Sequence, residues 1–167
     1  GEVEDYRVEI APNNQFSCPR AFYQIINNQL KTLDPLTGQY LDVGSPVVAH
    51  YNATGYNPVD DFIYGYGRGS SINNRLVQIA QDGTLTNLGV PTKIGGVGTL
   101  SNAHSGDFDD SGNLWLRSTL SGARIYRLNV TTNEYVGFAL SQNLPEAENV
   151  ADWVYINGKL YGGFGRT

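Results

Sequence analysis

Methionine is absent from this chain of 167 residues, and cysteine occurs once, as Cys18. A lone cysteine excludes any disulfide within the sequence and every metal or redox motif built on paired thiols. Cys18 is read as a small buried apolar residue, with a disulfide to a cysteine outside these residues as the alternative. A chain that opens on Gly1 and carries no methionine is expected to be a processed product or a piece of something longer, and the piece is favoured. Charge is scarce as well. Charged residues reach only 16%, acidic side chains outnumber basic ones by 16 to 11, and the formal net charge is -5. Such a chain repels a phosphate backbone, and with no Lys/Arg cluster as a local exception, nucleic acid is not an expected partner. No apolar run approaches the roughly 18 residues of a membrane-crossing helix, and no basic-then-apolar signal stands at the N-terminus, so membrane insertion is not expected.

What the chain has in quantity is glycine (20 residues), tyrosine (11 residues) and a hydrophobic fraction of 40%. Together with abundant Asn and Thr these point to an all-β protein with many tight turns. Residues 55–65, 106–116 and 152–162 repeat one pattern: a short apolar strand, a polar or Gly turn, and a second apolar strand. Their starts lie about 50 residues apart, a period that holds one small antiparallel sheet. Strands are also expected over 21–26, 29–33 and 39–43, joined by Asn27-Asn28 and by Asp34-Pro35-Leu36-Thr37-Gly38, and each middle unit continues in the same way. Those continuations are 75–80 and 84–88 around Gln81-Asp82-Gly83, then 124–129 and 134–138 around Thr131-Thr132-Asn133. Each unit is therefore a four-strand meander. The first shows its last three strands and the final one its first two, so about three and a half blades of a partial β-propeller are expected, with helix confined at most to one turn over 144–150.

Residues 1–10 alternate, with Tyr6, Val8 and Ile10 on one face and Asp5, Arg7 and Glu9 on the other, as in a separate half-buried strand. Residues 11–20 read as a linker and 21–167 as the incomplete repeat domain. The opening Gly1-Glu2-Val3-Glu4-Asp5-Tyr6 resembles the end of a GEVED domain, an extracellular β-rich module. From Phe16 onward, Cys18-Pro19, Leu33-Asp34-Pro35-Leu36-Thr37-Gly38, Tyr51-Asn52-Ala53-Thr54-Gly55-Tyr56-Asn57-Pro58-Val59-Asp60, Gly106-Asp107-Phe108-Asp109 and Ala151-Asp152 resemble an uncharacterised propeller-like repeat domain. That domain belongs to large secreted and cell-surface proteins. The resemblance implies a module of a long exported protein, at the cell surface or outside it, and carries no established activity. Residues 1–10 are then either the last strand of a preceding GEVED-like domain or an arm for strand exchange.

Several groups are candidates for chemistry. Asp107, Asp109, Ser111 and Asn113 place oxygens at alternate positions before the Gly112 turn, a pattern that can converge on calcium, the one cofactor considered. The twelfth position, which a full EF-hand loop fills with a bidentate Glu, is Ser118, so the competing reading is a hairpin whose Asp side chains cap backbone N–H groups. Asp60, Asp61 and Asp152 occupy related places in their units and are read as structural hydrogen-bond acceptors. His50 and His104 each precede a repeat's first strand, without a third ligand or a nucleophile elbow. Tyr51, Tyr56, Tyr64, Tyr66, Trp115, Tyr126, Trp153, Tyr155 and Tyr161 alternate within strands and read mainly as packing, with a carbohydrate-binding rim as the alternative. The Gly-rich run 93–99 lacks the order of a phosphate loop and reads as a flexible connection. Asn52 and Asn129 head glycosylation triplets that matter only in a host with that machinery.

These observations favour a non-enzymatic structural or interaction module, an adhesin or surface-fibre component, that engages copies of itself or neighbouring domains through open sheet edges, by strand addition, or binds carbohydrate. The rivals are a polysaccharide hydrolase or lyase using Asp60, His104 or Asp107, and a calcium-stabilised binding module.

Overall fold

A computed structural model describes residues 14–16, 22–69, 71–118, 124–139 and 150–164. The separate strand expected over 1–10, Cys18 and most of the one-turn helix considered over 144–150 lie outside them. All regular structure among the described residues is β, in four sheets that follow one another along the chain.

The first sheet holds β1 (Phe22–Ile26), β2 (Gln29–Leu33) and β3 (Tyr40–Val43) in simple antiparallel order. Its first turn is set by Asn27 and Asn28, both at positive φ (53° and 62°), the conformation a two-residue hairpin turn needs and asparagine tolerates. The second sheet is a complete meander of β4 (His50–Asn57), β5 (Phe62–Arg68), β6 (Leu76–Ile79) and β7 (Leu85–Gly89). The third contains β9 (Ala103–Phe108), β10 (Asn113–Ser118), β11 (Arg124–Asn129) and β12 (Glu134–Ala139), and its outer edge carries β8 (Thr92–Gly96). The last sheet is the hairpin of β13 (Val150–Ile156) and β14 (Lys159–Phe164).

The leading strands β4, β9 and β13 lie side by side, β9 between the other two. Blade stacking is visible in the alternation of β5 and β6. Tyr64, Tyr66 and Leu76 enter a core shared with Phe108, Leu114, Leu116, Tyr126 and Leu128 of the third sheet, while Ile63, Val77 and Ile79 enter a second core with Phe16, Leu30, Tyr23 and Ile25. One sheet thus buries both faces, each against a different neighbour. Full burial of side chains such as Tyr66, Tyr126 and Leu114 contributes about 1.5–3 kcal/mol each. Their polar tips are satisfied within the core: the Tyr66 hydroxyl donates to the Leu100 carbonyl (3.3 Å), and that of Tyr126 donates to the Thr99 carbonyl (3.0 Å). The close approach of β4 and β9 requires Gly106, where a Cβ would stand 2.4 Å from the Ala53 carbonyl oxygen.

The architecture is a partial, propeller-like all-β arc of three, four, five and two strands. The five-stranded sheet is the departure from expectation. Residues 93–96 of the run 93–99, read as a flexible connection, belong to β8, which pairs in parallel with β12, Glu134 opposite Thr92 and Gly137 opposite Gly96. Glycine at 137 admits this neighbour, since a Cβ there would meet the Val97 carbonyl oxygen at 1.9 Å.

Candidate functional site

The hairpin between β9 and β10 is organised around one carboxylate. Asp109 lies just past the end of β9 and is 9% exposed. Its Oδ1 accepts from the Ser111 N–H (3.0 Å), the Asn113 N–H (2.9 Å) and the Asn113 amide (3.1 Å), and its Oδ2 from that amide (3.0 Å) and the Trp115 indole N–H (2.9 Å). Burial pushes the carboxyl's pKa up, but the donors from Asn113, Trp115 and Ser111 outweigh it and hold the group below its ordinary value. Both oxygens therefore face N–H groups of the turn.

Asp107 points elsewhere. It accepts the Tyr155 backbone N–H of β13 at 2.7 Å and so ties the third sheet to the fourth. Burial raises its pKa, with the nearby Asp152 charge adding to the rise and backbone hydrogen bonds from Tyr155 and Phe108 opposing it. Of the four calcium candidates, Asp109 and Asn113 meet directly, Ser111 contributes its backbone N–H and is exposed, and Asp107 belongs to a different contact. Among the described residues no three His, Cys, Asp or Glu side chains converge as a metal cluster.

The remaining candidates are dispersed. Asp60 accepts the Tyr64 hydroxyl (2.6 Å) and the Phe62 N–H (3.2 Å), and Asp61 accepts the Tyr56 hydroxyl, both in the β4–β5 turn. Asp152 stands within β13 and accepts the Trp153 N–H (2.9 Å), so the structure separates it from the Asp60–Asp61 turn to which its sequence position likens it. The residue that repeats the turn role of Asp109 is Asn57, whose Oδ1 accepts the Val59 N–H at 3.1 Å. His50 is exposed, with its Nδ1 3.1 Å from the Asn28 amide, and His104 is half-buried in β9. Asn52 and Asn129 are both exposed; their side-chain oxygens accept the N–H of Ala53 and those of Thr131 and Thr132. The aromatic set divides. Tyr51, Tyr64, Tyr66 and Tyr126 are core, Tyr56 and Tyr161 are exposed, and half-buried Trp115 packs at 5.7 Å from Phe138, with the Arg127 guanidinium 6.0 Å from each ring.

A groove of about 580 Å³ runs between β1 and β4. Phe22, Tyr23, Gln24 and Ile25 line one side and Tyr51, Asn52, Thr54, Gly55 and Tyr56 the other, with Phe16, Leu30, Ile63 and Asp152 completing it. Consecutive residues of β1 point to opposite faces, so a lining made of four in a row means that the groove exposes the strand's edge. Among the described residues β1 pairs only with β2, and where the second and third sheets have β4 and β9, the first has no leading strand. The groove occupies that place. Of its lining, sequence reasoning singled out Tyr51, Asn52, Tyr56 and Asp152, each for another reason, and did not bring them together; the three-strand count of the first unit was the signal for the groove.

Asp34-Pro35-Leu36-Thr37-Gly38, the Asn57 and Asp109 turns and the hairpins around them thus serve one recurring architecture rather than one cleft. No similar protein was found among curated proteins. The match to the family described as "Repeat of unknown function (DUF6923)" spans residues 22–167, leaving the GEVED-like hexapeptide outside it, and this chain belongs to that family.

Proposed function

We propose that the chain is a non-catalytic structural and interaction module of a large secreted or cell-surface protein, an adhesin or surface-fibre component. The observation that carries the reading is the free edge of β14. It pairs only with β13 among the described residues, leaving a hairpin where the second sheet has four strands. A six-residue strand with one edge unpaired among the described residues and an exposed Tyr161 is a template for further strands, and native proteins normally blunt or cover such edges. Neighbouring repeats or domains add there by main-chain pairing. The acidic side chains support a structural use, because Asp60, Asp107 and Asp109 are engaged by turn, strand or tyrosine donors.

The test is association of the chain with itself and with the flanking segments of its parent protein, followed by light scattering. Lysines at Tyr161 and Gly163 are expected to weaken association by charging the edge. Association unaffected by both lysines, or turnover in a screen of extracellular polysaccharides that His104→Ala abolishes, would overturn the reading.

A further inference from the structure

We propose that a pocket at the starting end of β4 binds the carboxylate of a small acidic ligand, of the size and polarity of a sugar acid, through Arg68, His50 and Asn52. The pocket shares no residue with the β14 edge or the Asp109 hairpin, and the assignment goes beyond the structural role.

The pocket encloses about 320 Å³, at the small end of the range for ligand sites, and is lined by Asn28, His50, Tyr51, Asn52, Arg68 and Gly69. It adjoins the groove beside β1, which Tyr51 and Asn52 also line. His50 and Arg68 stand directly opposite each other in the β4–β5 ladder, and Asn52, opposite Tyr66, follows two residues on. The register therefore puts all three side chains on one face of the sheet. No Asp or Glu is among the described lining residues, although acidic side chains outnumber basic ones in the chain.

What these three side chains have to spare is donors. The Asn52 Oδ1 accepts the Ala53 N–H (2.9 Å), which leaves the amide nitrogen for a ligand. The Asn28 amide nitrogen lies 3.1 Å from the His50 Nδ1. An amide nitrogen only donates, so Nδ1 is the acceptor and the neutral ring carries its hydrogen on Nε2. Half-buried Arg68 uses its Nε–H on the Asn102 Oδ1 (2.8 Å), and no carboxylate among the described residues pairs with its two terminal nitrogens. The Asn102 N–H in turn donates to the Asn74 Oδ1 (3.2 Å), so the guanidinium is held in place before any ligand arrives.

Donors gathered around a fixed guanidinium select an oxyanion, and the planar end of the fork matches a carboxylate through two parallel N–H···O bonds. The His50 Nε2–H and the Asn52 amide serve the remaining lone pairs and neighbouring hydroxyls. Gly69 forms the lip without a side chain. A Cβ there would stand 3.8 Å from the His50 Cδ2, so a longer residue would lie over the imidazole.

The chain has two histidines, and their ring NMR signals give a local readout with a built-in reference. Titration with sodium glucuronate, replacing chloride at constant ionic strength and pH, is expected to shift the His50 signals saturably and leave those of His104 in place. Acetate should act at the same site more weakly, and glucose should do nothing. Arg68→Gln removes the fork and is expected to weaken glucuronate binding about tenfold or more. Asn28→Asp leaves the Arg68–Asn102 contact alone and keeps a residue suited to positive φ in the turn. It sets a carboxylate beside His50 and is expected to weaken binding as far, which separates loss of the site from misfolding in the arginine variant. No saturation at His50, a shift shared equally by His104 or produced by glucose, or undiminished affinity in either variant would overturn the proposal. Inorganic sulfate that binds where glucuronate and acetate do not would overturn it too, because the site would then select a tetrahedral anion.

Discussion

Replacing Asp109 by alanine removes the hub of the β9–β10 turn, and the structure sets the size of the effect. Its carboxylate receives hydrogen bonds from four groups on three residues: the Ser111 N–H, the Asn113 N–H and amide, and the Trp115 indole. Bonds to a charged acceptor are each worth about 1.5–3 kcal/mol when buried. Ser111 is exposed and Asn113 half-buried, so in the variant these donors recover much of that from water, and the principal loss falls on the two best shielded bonds. The expected destabilisation is about 3 kcal/mol, a fall in Tm of about 6–12 °C for a chain of this size. Asp109→Asn keeps one acceptor oxygen and should lose less, and Asp110→Ala, at an exposed position with no such role, should stay within about 0.5 kcal/mol.

The assay is a urea midpoint with a thermal melt, run in excess calcium and again in chelator. Because the folded pKa of Asp109 lies below its ordinary value, its contribution is present above that ordinary value and is lost as pH falls through the lowered one. The gap between the parent chain and Asp109→Ala should therefore close in acid. An effect no larger than that of Asp110→Ala would refute the hydrogen-bond account. A wild-type Tm that rises with calcium, together with a deficit in Asp109→Ala that vanishes in chelator, would show the carboxylate to be a metal ligand instead.

Asp107→Asn should raise Tm at neutral pH and not well below 3.8: the folded pKa of Asp107 is raised, so the stability its protonated form contributes is present below the ordinary value and lost as pH climbs through the raised one. A melt series across that range checks it, and no pH dependence would contradict it. Gly106→Ala drives a Cβ into the Ala53 carbonyl and should cost about 3 kcal/mol by urea unfolding, whereas Gly163→Ala, with nothing within 4 Å, should change little. Burial raises the Tyr51 hydroxyl to about 12, and burial with the neighbouring Asp60 and with Tyr135 and Tyr126 raises Tyr64 and Tyr66 further. Phenolate absorbance should then show these three resisting ionisation above pH 10.0 until the chain unfolds, with stability falling from there upward; full titration of all 11 tyrosines in the folded chain would refute the packing.

The hairpins were legible because two local signals coincide at them: apolar alternation in the strands, and Asn or Gly where φ must be positive, as at Asn27-Asn28 and Asn157-Gly158. β8 was hidden by the same logic. Gly95 and Gly96 have little strand preference of their own, and what holds them extended is pairing with Val136 and Gly137, some forty residues later. The acidic loop divides its side chains for a related reason. A spacing of two puts side chains on one face only while a strand persists, and β9 ends at Phe108, so Asp107 turns toward β13 while Asp109 turns into the hairpin. The groove was half visible, since the missing leading strand could be counted, but which side chains wall it depends on how β1 and β4 lie in space.

The parallel contact of β8 with β12 gives the third sheet a mechanical character. The chain enters this sheet on β8 and leaves it on β12, and the two strands run the same way. Tension applied along the polypeptide pulls them lengthwise past each other and loads their cross-links simultaneously, instead of peeling them one at a time from an end. A segment wired in this fashion yields late when the chain is stretched, and the hairpin of β13 and β14, whose neighbouring ends would part like a zip, yields first.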